Sequence, residues 1–215
     1  MQVNELRFGN PNRSLLAYLK TENYLDSLLP ELSSYPPPEN DSQETIQEIH
    51  QEIEYTTFLE KDEQLRRRYE LYDGDFEKYI IERLVNAGLD KDEVENIMRE
   101  MHDDIVPLLV KLKFKYNRVR PYQLSFYKGL KLHAFKSATA DSPAYPSGHA
   151  YQAKIYAEVL GNKYPKFYKA LNDLANDISW SRLYLGVHYT SDMQFALYAA
   201  DLVLKHPDFR KKYKL

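Results

Sequence analysis

Apolar residues recur at helical spacing through most of the chain, and this pattern limits the possible folds more than any other feature. In the segment 42–60 the isoleucines share one face, and Asp41 with Glu44 forms a capping box at its start. We predict helices over residues 42–60, 76–88, 148–162, 165–180 and 188–205, and another that begins at Asp90 and bends at Pro107. Because the chain has only 7 glycines and few β-branched runs, we expect an all-α protein, a single compact multi-helix bundle.

Two segments depart from this helical pattern. Lysines alternate with apolar residues over 111–120, which favours extended chain, and Pro121 disfavours a helical conformation for Arg120. Asp73-Gly74 predicts a turn ahead of the second helix. We therefore expect a helix to end and a loop to begin within 111–120.

The length of 215 residues suits one domain with a sizeable core. The prolines that follow Tyr35 separate an irregular N-terminal arm, residues 1–40, from a helical domain, residues 41–215. The arm is too short to fold alone, so we expect it to pack on the body as part of one domain. The chain has no cysteine, which excludes thiolate metal sites and cysteine nucleophiles.

The charge balance and the apolar runs restrict the partners. A formal net charge of −3 argues against a dedicated nucleic-acid binder, and no apolar run approaches the roughly 18–20 residues of a membrane span. Residues 1–20 carry charges and lack the apolar run of a secretory signal. We expect neither nucleic-acid nor membrane partners, and a cytoplasmic location if the chain is complete as given or a periplasmic one if a signal was removed.

Three short clusters carry residues suited to binding an anion. They are Lys113 with Arg120-Pro121, Pro146-Ser147-Gly148-His149, and Ser181-Arg182 with His188 and Asp192. Backbone N–H groups at a helix that begins with Ser-Gly favour an anion, and arginine forks match tetrahedral oxyanions. Each cluster alone is usually a cap, a surface pair or a solvated face, but all three in order are improbable by chance. Together they predict a phosphate pocket with two histidines.

The spacing within the clusters suggests how the histidines are arranged. His188 and Asp192 are four residues apart, so on a helix their side chains would share a face. Asp192 could then accept the Nδ1–H of His188, which leaves Nε2 unprotonated, as a nucleophile requires. His149, in the first turn of its helix, would lie over an anion bound there.

These clusters resemble the three-part signature of the type 2 phosphatidic-acid phosphatase and vanadium haloperoxidase superfamily. The resemblance covers residues 113–192, and the chain looks most like the soluble bacterial class A non-specific acid phosphatases. It implies an acid phosphatase without metal or cofactor that hydrolyses small soluble phosphomonoesters through a phosphohistidine. It also implies that His188 attacks phosphorus, that Asp192 orients it, and that His149 protonates the leaving oxygen. The residues implied to bind phosphate are Lys113, Arg120, Ser147, Gly148 and Arg182.

Other functions stay open beside this one. A vanadium-dependent haloperoxidase would hold vanadate in the same pocket, with His188 as its axial ligand. A non-catalytic phosphate-binding or structural protein is a third reading, although the His-Asp pair is intact. A metal-dependent phosphohydrolase site at His102-Asp103-Asp104 with His50 is disfavoured, because metal sites need a complete set of ligands. A homo-oligomer is compatible with each of these functions.

Overall fold

The computed structural model describes residues 3–9 and 11–215, and over those ranges it contains helices and no strand. The α-helices are Leu29–Leu32 (α1), Gln43–Lys61 (α2), Glu63–Val85 (α3), Lys91–Tyr116 (α4), Pro121–Tyr127 (α5), Gly148–Lys163 (α6), Tyr168–Tyr184 (α7), Thr190–Lys205 (α8) and Pro207–Tyr213 (α9). Shorter 3₁₀ segments cover Val3–Glu5, Arg13–Lys20, Tyr24–Leu28 and Pro165–Phe167. The prediction of an all-α protein is confirmed. Within the described ranges, no helix combines the length and apolar character that a membrane crossing needs.

Helix α6 lies at the centre of the bundle, and most of its residues are buried. It packs against α7 and α8, while α2 and α3 cover α7. Gly161 allows the close approach of α7, since a Cβ there would lie 2.7 Å from the ring of Tyr168. The backbone N–H of Ser147 donates to the carbonyl of Asp192 (3.1 Å), so the starts of α6 and α8 are joined directly.

Helix α3 differs from the prediction. It runs through Asp73-Gly74, with one residue, Asp75, outside the helical region (φ −160°, ψ 80°). The expected turn is therefore a kink inside one long helix. The first half of α3 was missed because its buried face is made of Tyr69 and Tyr72, and three consecutive arginines precede them.

Helix α4 ends at Tyr116, so the predicted helix end within 111–120 is confirmed, but the extended chain that the alternation favours over 111–116 is wrong. The alternation favours a strand only if the lysines face water, but two of them bind groups of the protein. Lys111 pairs with Asp26 (2.6 Å), and Lys113 is buried. Asn117 ends the helix in the left-handed region (φ 49°, ψ 40°), and the predicted loop begins there.

Two helix starts also differ from the predictions. The N-cap of α2 is Ser42 and not Asp41, because the Ser42 hydroxyl accepts the backbone N–H of Thr45 (3.1 Å). Helix α8 begins at Thr190, two residues after His188. His188 therefore lies in the segment that leads into the helix.

The N-terminal residues pack beside α4 and contact the loop that precedes α6. The 3₁₀ segment Arg13–Lys20 packs on α4. Asn12 donates from its backbone N–H to the carbonyl of Asp141 and from its side chain to the carboxylate of Asp141, both at 2.8 Å. Residues 1, 2 and 10 of the predicted arm lie outside the described residues, and the division into 1–40 and 41–215 stays a prediction.

Candidate active site

A cavity of about 350 Å³ lies between α3, α4, α6 and the end of α7. Six of the eight residues predicted for the site line it: Lys113, Arg120, Gly148, His149, Arg182 and His188. Ser147 and Asp192 do not line the cavity, but each is fully buried beside a residue that does. The three clusters, which span 80 residues of sequence, are thus brought together.

His188 and Asp192 form a pair, although not on one helix face as expected. Asp192 lies in the first turn of α8, where its Oδ2 accepts the backbone N–H of Tyr189 (2.9 Å) and lies 3.1 Å from Nδ1 of His188. On the other side of the ring, Nη1 of Arg120 lies 2.8 Å from Nε2. Because a carboxylate only accepts and a guanidinium only donates, His188 carries its proton on Nδ1 and a lone pair on Nε2.

Two of the histidines that line the cavity, His188 and His149, have lowered pKa values. Burial lowers the pKa of His188 well below its usual 6.5, and the positive charges of Arg120 and Lys113 lower it further. Burial and the charge of Arg182 also lower the pKa of His149 well below 6.5. The His149 ring packs on Phe76, with 4.8 Å between the centroids. Both imidazoles are therefore neutral near pH 7 in the free protein.

Lys113 and Arg120 are buried cations that form no ion pair with any residue in the ranges the structure describes. Lys113 Nζ donates to the carbonyl of Pro143 (2.6 Å). Arg120 donates to the carbonyl of Ser142 from Nε (2.9 Å) and Nη2 (2.7 Å), and to that of Val187 from Nη1 (2.8 Å). Burial lowers the pKa of Lys113 well below 10.5 and that of Arg120 to about 10. A bound anion would supply the countercharge that both cations lack.

Arg182, by contrast, is paired with a carboxylate that the sequence analysis missed. Its Nη1 lies 2.6 Å from Oδ1 of Asp73, which is 4% exposed. Asp73 also accepts from the hydroxyls of Ser137 (2.5 Å) and Thr139 (3.0 Å) and from the backbone N–H of Ala138 (2.7 Å). The pKa of Asp73 is lowered: burial raises it, but Arg182 and these donors outweigh burial. Asp73 therefore fixes both Arg182 and the loop along one edge of the cavity.

The start of α6 presents donors that the protein itself does not satisfy. Ser147 is the N-cap, yet its side chain caps no backbone N–H, and its buried Oγ has no hydrogen-bond partner among the described residues. A Cβ on Gly148 would approach Leu109 Cδ2 to 3.5 Å, which is an ordinary contact. Packing within the protein therefore does not require glycine at 148.

A second set of charged residues lies behind Asp192, and it too was missed. Arg118 donates from Nη1 to Oδ1 of Asp192 (2.6 Å) and from Nη2 to Oε2 of Glu48 (3.1 Å). Glu52, one turn beyond Glu48, is fully buried, and its carboxyl oxygens have no partner in the described part of the chain. Burial, and then the charges of Asp192 and Glu48, raise the pKa of Glu52 well above 4.5, which favours its neutral form. The one available signal was that these glutamates lie next to isoleucines of α2, the buried Ile49 and the half-buried Ile53.

The histidine-aspartate doublet on α4 is used differently. Nδ1 of His102 lies 3.6 Å from Glu77, whereas Asp104 accepts from Tyr24, Lys212 and Tyr213. The two side chains thus bind separate partners. Within residues 3–9 and 11–215, no group of three or more His, Cys, Asp or Glu side chains is arranged to hold a metal ion.

Comparison with known proteins agrees with this geometry. Residues 105–205 match the family model of the PAP2 superfamily, whose members are generally phosphatases or other hydrolases. The matched range contains all three clusters. A comparison with curated proteins finds no match for the chain.

Proposed function

We propose that this chain is a phosphatase of the PAP2 superfamily that hydrolyses soluble phosphomonoesters, with no metal, through a phosphohistidine at His188. One observation carries the proposal: Lys113 and Arg120, two buried cations with no carboxylate partner among the described residues, line the same cavity as the neutral imidazoles of His149 and His188. A phosphate dianion matches that charge and leaves the phosphorus atom close to a nucleophilic nitrogen. We place the chain with the class A bacterial acid phosphatases within this superfamily.

The phosphate oxygens would bind at buried side-chain donors and at the start of α6. Lys113 and Arg120 supply charge, while the Oγ of Ser147 and the Nε of Arg182 are buried with no hydrogen-bond partner in the described chain. The backbone N–H groups at the start of α6 add the positive end of a helix dipole. Glycine at 148 leaves room for an anion to approach this backbone, which would explain a glycine that packing within the protein does not require. Such a set of donors stabilises charge on the equatorial oxygens in the transition state.

Phosphoryl transfer would proceed in two balanced steps. Nε2 of His188 bonds to phosphorus as the ester P–O bond breaks, and the leaving oxygen takes a proton from His149. Water then attacks phosphorus and gives a proton to His149, and the P–N bond breaks to release phosphate. Asp192 accepts the Nδ1–H throughout and stabilises the positive charge on the phosphorylated imidazole.

Substrate binding must change the contact between Arg120 and His188. Nη1 of Arg120 donates to the Nε2 lone pair in this structure, so that pair is engaged until another acceptor draws the guanidinium away. A phosphate oxygen is such an acceptor. Binding would thus free the nucleophile only when a phosphoryl group is present.

The proton that His149 delivers must arrive with the substrate. His149 is neutral in the free protein because burial and Arg182 lower its pKa. A bound phosphate dianion raises that pKa, and a monoanion carries the proton itself, since the second pKa of a phosphate ester is about 6. Activity on the acidic side of neutral follows from this requirement.

Hydrolysis of an aryl phosphate in excess EDTA, with no vanadate, peroxide or halide present, tests the proposal. We expect turnover that EDTA does not reduce and that vanadate inhibits, because its trigonal-bipyramidal adduct mimics the transferring phosphoryl group. Loss of activity in EDTA with recovery on adding Mg²⁺ or Zn²⁺ would contradict a metal-free mechanism. Halide oxidation with vanadate and peroxide, but no phosphate release, would instead identify a haloperoxidase.

His149→Ala is expected to affect substrates according to their leaving group. An alkyl phosphate needs a proton on the departing oxygen, so its kcat/KM should fall by about 10²–10⁴-fold, whereas a nitrophenyl phosphate should lose about tenfold or less. Steady-state kinetics on both esters measures the difference. His102→Ala is the matched control, since His102 also lines the cavity. Equal losses on both esters in His149→Ala would leave His149 only a binding role.

A further inference from the structure

Arg118 contacts the His188–Asp192 pair without lining the cavity. It lies between Lys113 and Arg120 in sequence and is 3% exposed. Its Nη1 donates to Oδ1 of Asp192 (2.6 Å) and to the hydroxyl of Ser191 (2.7 Å). The other oxygen of Asp192, Oδ2, lies at Nδ1 of His188. The Asp192 carboxylate is thus held between a guanidinium and an imidazole.

The guanidinium is itself fixed on three sides. Nη2 donates to Oε2 of Glu48 (3.1 Å), and Oε1 of Glu48 accepts the backbone N–H of Ser191 (2.5 Å) in the first turn of α8. The central carbon of the guanidinium lies 3.8 Å from the centroid of the Tyr189 ring, a cation–π contact. Glu48 therefore ties Arg118 to the same helix turn that carries Asp192.

We propose that Arg118 is a positioning residue, which holds the Asp192 carboxylate so that Oδ2 faces His188 and the imidazole keeps its proton on Nδ1. A carboxylate held only by His188 and one backbone N–H can rotate, and each rotation weakens the preference for one tautomer. Nη1 of Arg118 holds Oδ1, and the bond from Nη2 to Glu48 fixes the guanidinium, so together they remove that freedom. This role rests on the proposed function, because it matters for rate only if Nε2 of His188 is the nucleophile.

Arg118 also lies among three neighbouring buried carboxyl groups, those of Glu48, Glu52 and Asp192. The pKa of Arg118 is raised, because Asp192, the Tyr189 side chain and Glu48 outweigh the effect of burial. Lysine at this position keeps the charge but offers no planar fork. It can hold Asp192 or Glu48, but not both in the observed geometry.

The test compares R118M, R118K and R68M. In R118M we expect kcat to fall by about 10–100-fold, the range typical for loss of a partner behind a reacting group, with KM within about twofold. R118K should recover part of the rate, with a loss of about 3–10-fold. R68M removes an arginine that pairs with Asp177 (3.3 Å) and lies 5.5 Å from the Tyr69 ring, away from the cavity, and it should leave kcat unchanged.

Imidazole ¹⁵N spectra of His188 provide a second readout that needs no turnover. The wild-type protein should show one tautomer, Nδ1–H, and R118M a mixture. A folded R118M with wild-type kcat and a single tautomer would overturn the proposal, as would an equal loss of kcat in R68M. Should R118M not fold, R118K with wild-type kcat and a single tautomer overturns it equally. If the wild type hydrolyses no phosphate ester, the proposed function fails, while the tautomer populations still decide whether Arg118 positions the pair.

Discussion

His188→Ala is expected to lower kcat by at least about 10⁵-fold and to abolish the phosphorylated intermediate. The variant removes the atom that bonds to phosphorus, and neither the cationic side chains nor His149 can replace a nucleophile at that point. His188 is also the side chain that Asp192 and Arg120 both contact, so its loss leaves Arg120 in the cavity and the buried Asp192 beside it without their shared partner. Phosphate binding should persist, because the cations remain.

Rapid quench with a labelled phosphate ester measures this prediction, since phosphohistidine survives alkali and can be trapped before it hydrolyses. His133→Ala is the control, because His133 is exposed and does not line the cavity. A His188→Ala protein that keeps a near-normal rate, or that still forms alkali-stable phosphoprotein, would remove the proposed covalent mechanism.

Asp192→Asn should lower kcat by about 10³–10⁴-fold with little change in phosphate binding. The charged donor of Arg118 holds an amide oxygen more strongly than the backbone N–H of Tyr189 does, so the Asn NH₂ group turns toward Nδ1 of His188. An NH₂ group donates, which forces the imidazole proton onto Nε2. The nucleophile is then in the wrong tautomer.

The D192N/R118M double variant separates this explanation from simple loss of charge. Once Arg118 is absent, no charged donor turns the NH₂ group of the introduced asparagine toward His188. The loss of kcat in the double variant should therefore be smaller than the product of the losses in the two single variants. Asp141→Asn is the control, because Asp141 also lines the cavity but binds Asn12. Losses that multiply in the double variant would contradict the orientation argument.

The residues of the candidate site could be predicted because each cluster is local in sequence. Ser147, Gly148 and His149 are consecutive at a helix start, and His188 and Asp192 are close enough to pair even though the helix begins later than expected. Short spacings of this kind keep their geometry whether the intervening residues are helical or form a cap. The structure brings these residues together, while the roles assigned to them stay predictions.

The carboxylates that hold the arginines could not be predicted in the same way. Asp73 lies 109 residues from Arg182, and Glu48 lies 70 residues from Arg118. Nothing in either local sequence marks these partners, since Asp73-Gly74 has the composition of a turn and Glu48 that of a solvated helix face. Such pairs form because of the way α2, α3 and α7 pack, and a local sequence pattern carries no information about that packing.

The same limit explains the error at the end of α4. An alternation of lysine and apolar residues predicts a strand only if the lysines face water. Lys111 and Lys113 instead bind Asp26 and the carbonyl of Pro143. Because their partners are distant in sequence, the alternation alone could not show that this segment is helical.

The charges of Lys113 and Arg120, which no described carboxylate compensates, also link occupancy of the pocket to the stability of the fold. An unpaired buried charge costs several kcal/mol, so these two cations lower the free energy of unfolding of the protein without a bound anion. An anion that binds only the folded chain returns about 2.7 kcal/mol when its concentration is about 100 times its Kd. Inorganic phosphate, the product of the proposed reaction, would thus stabilise the folded protein, which would be least stable where phosphate is scarce.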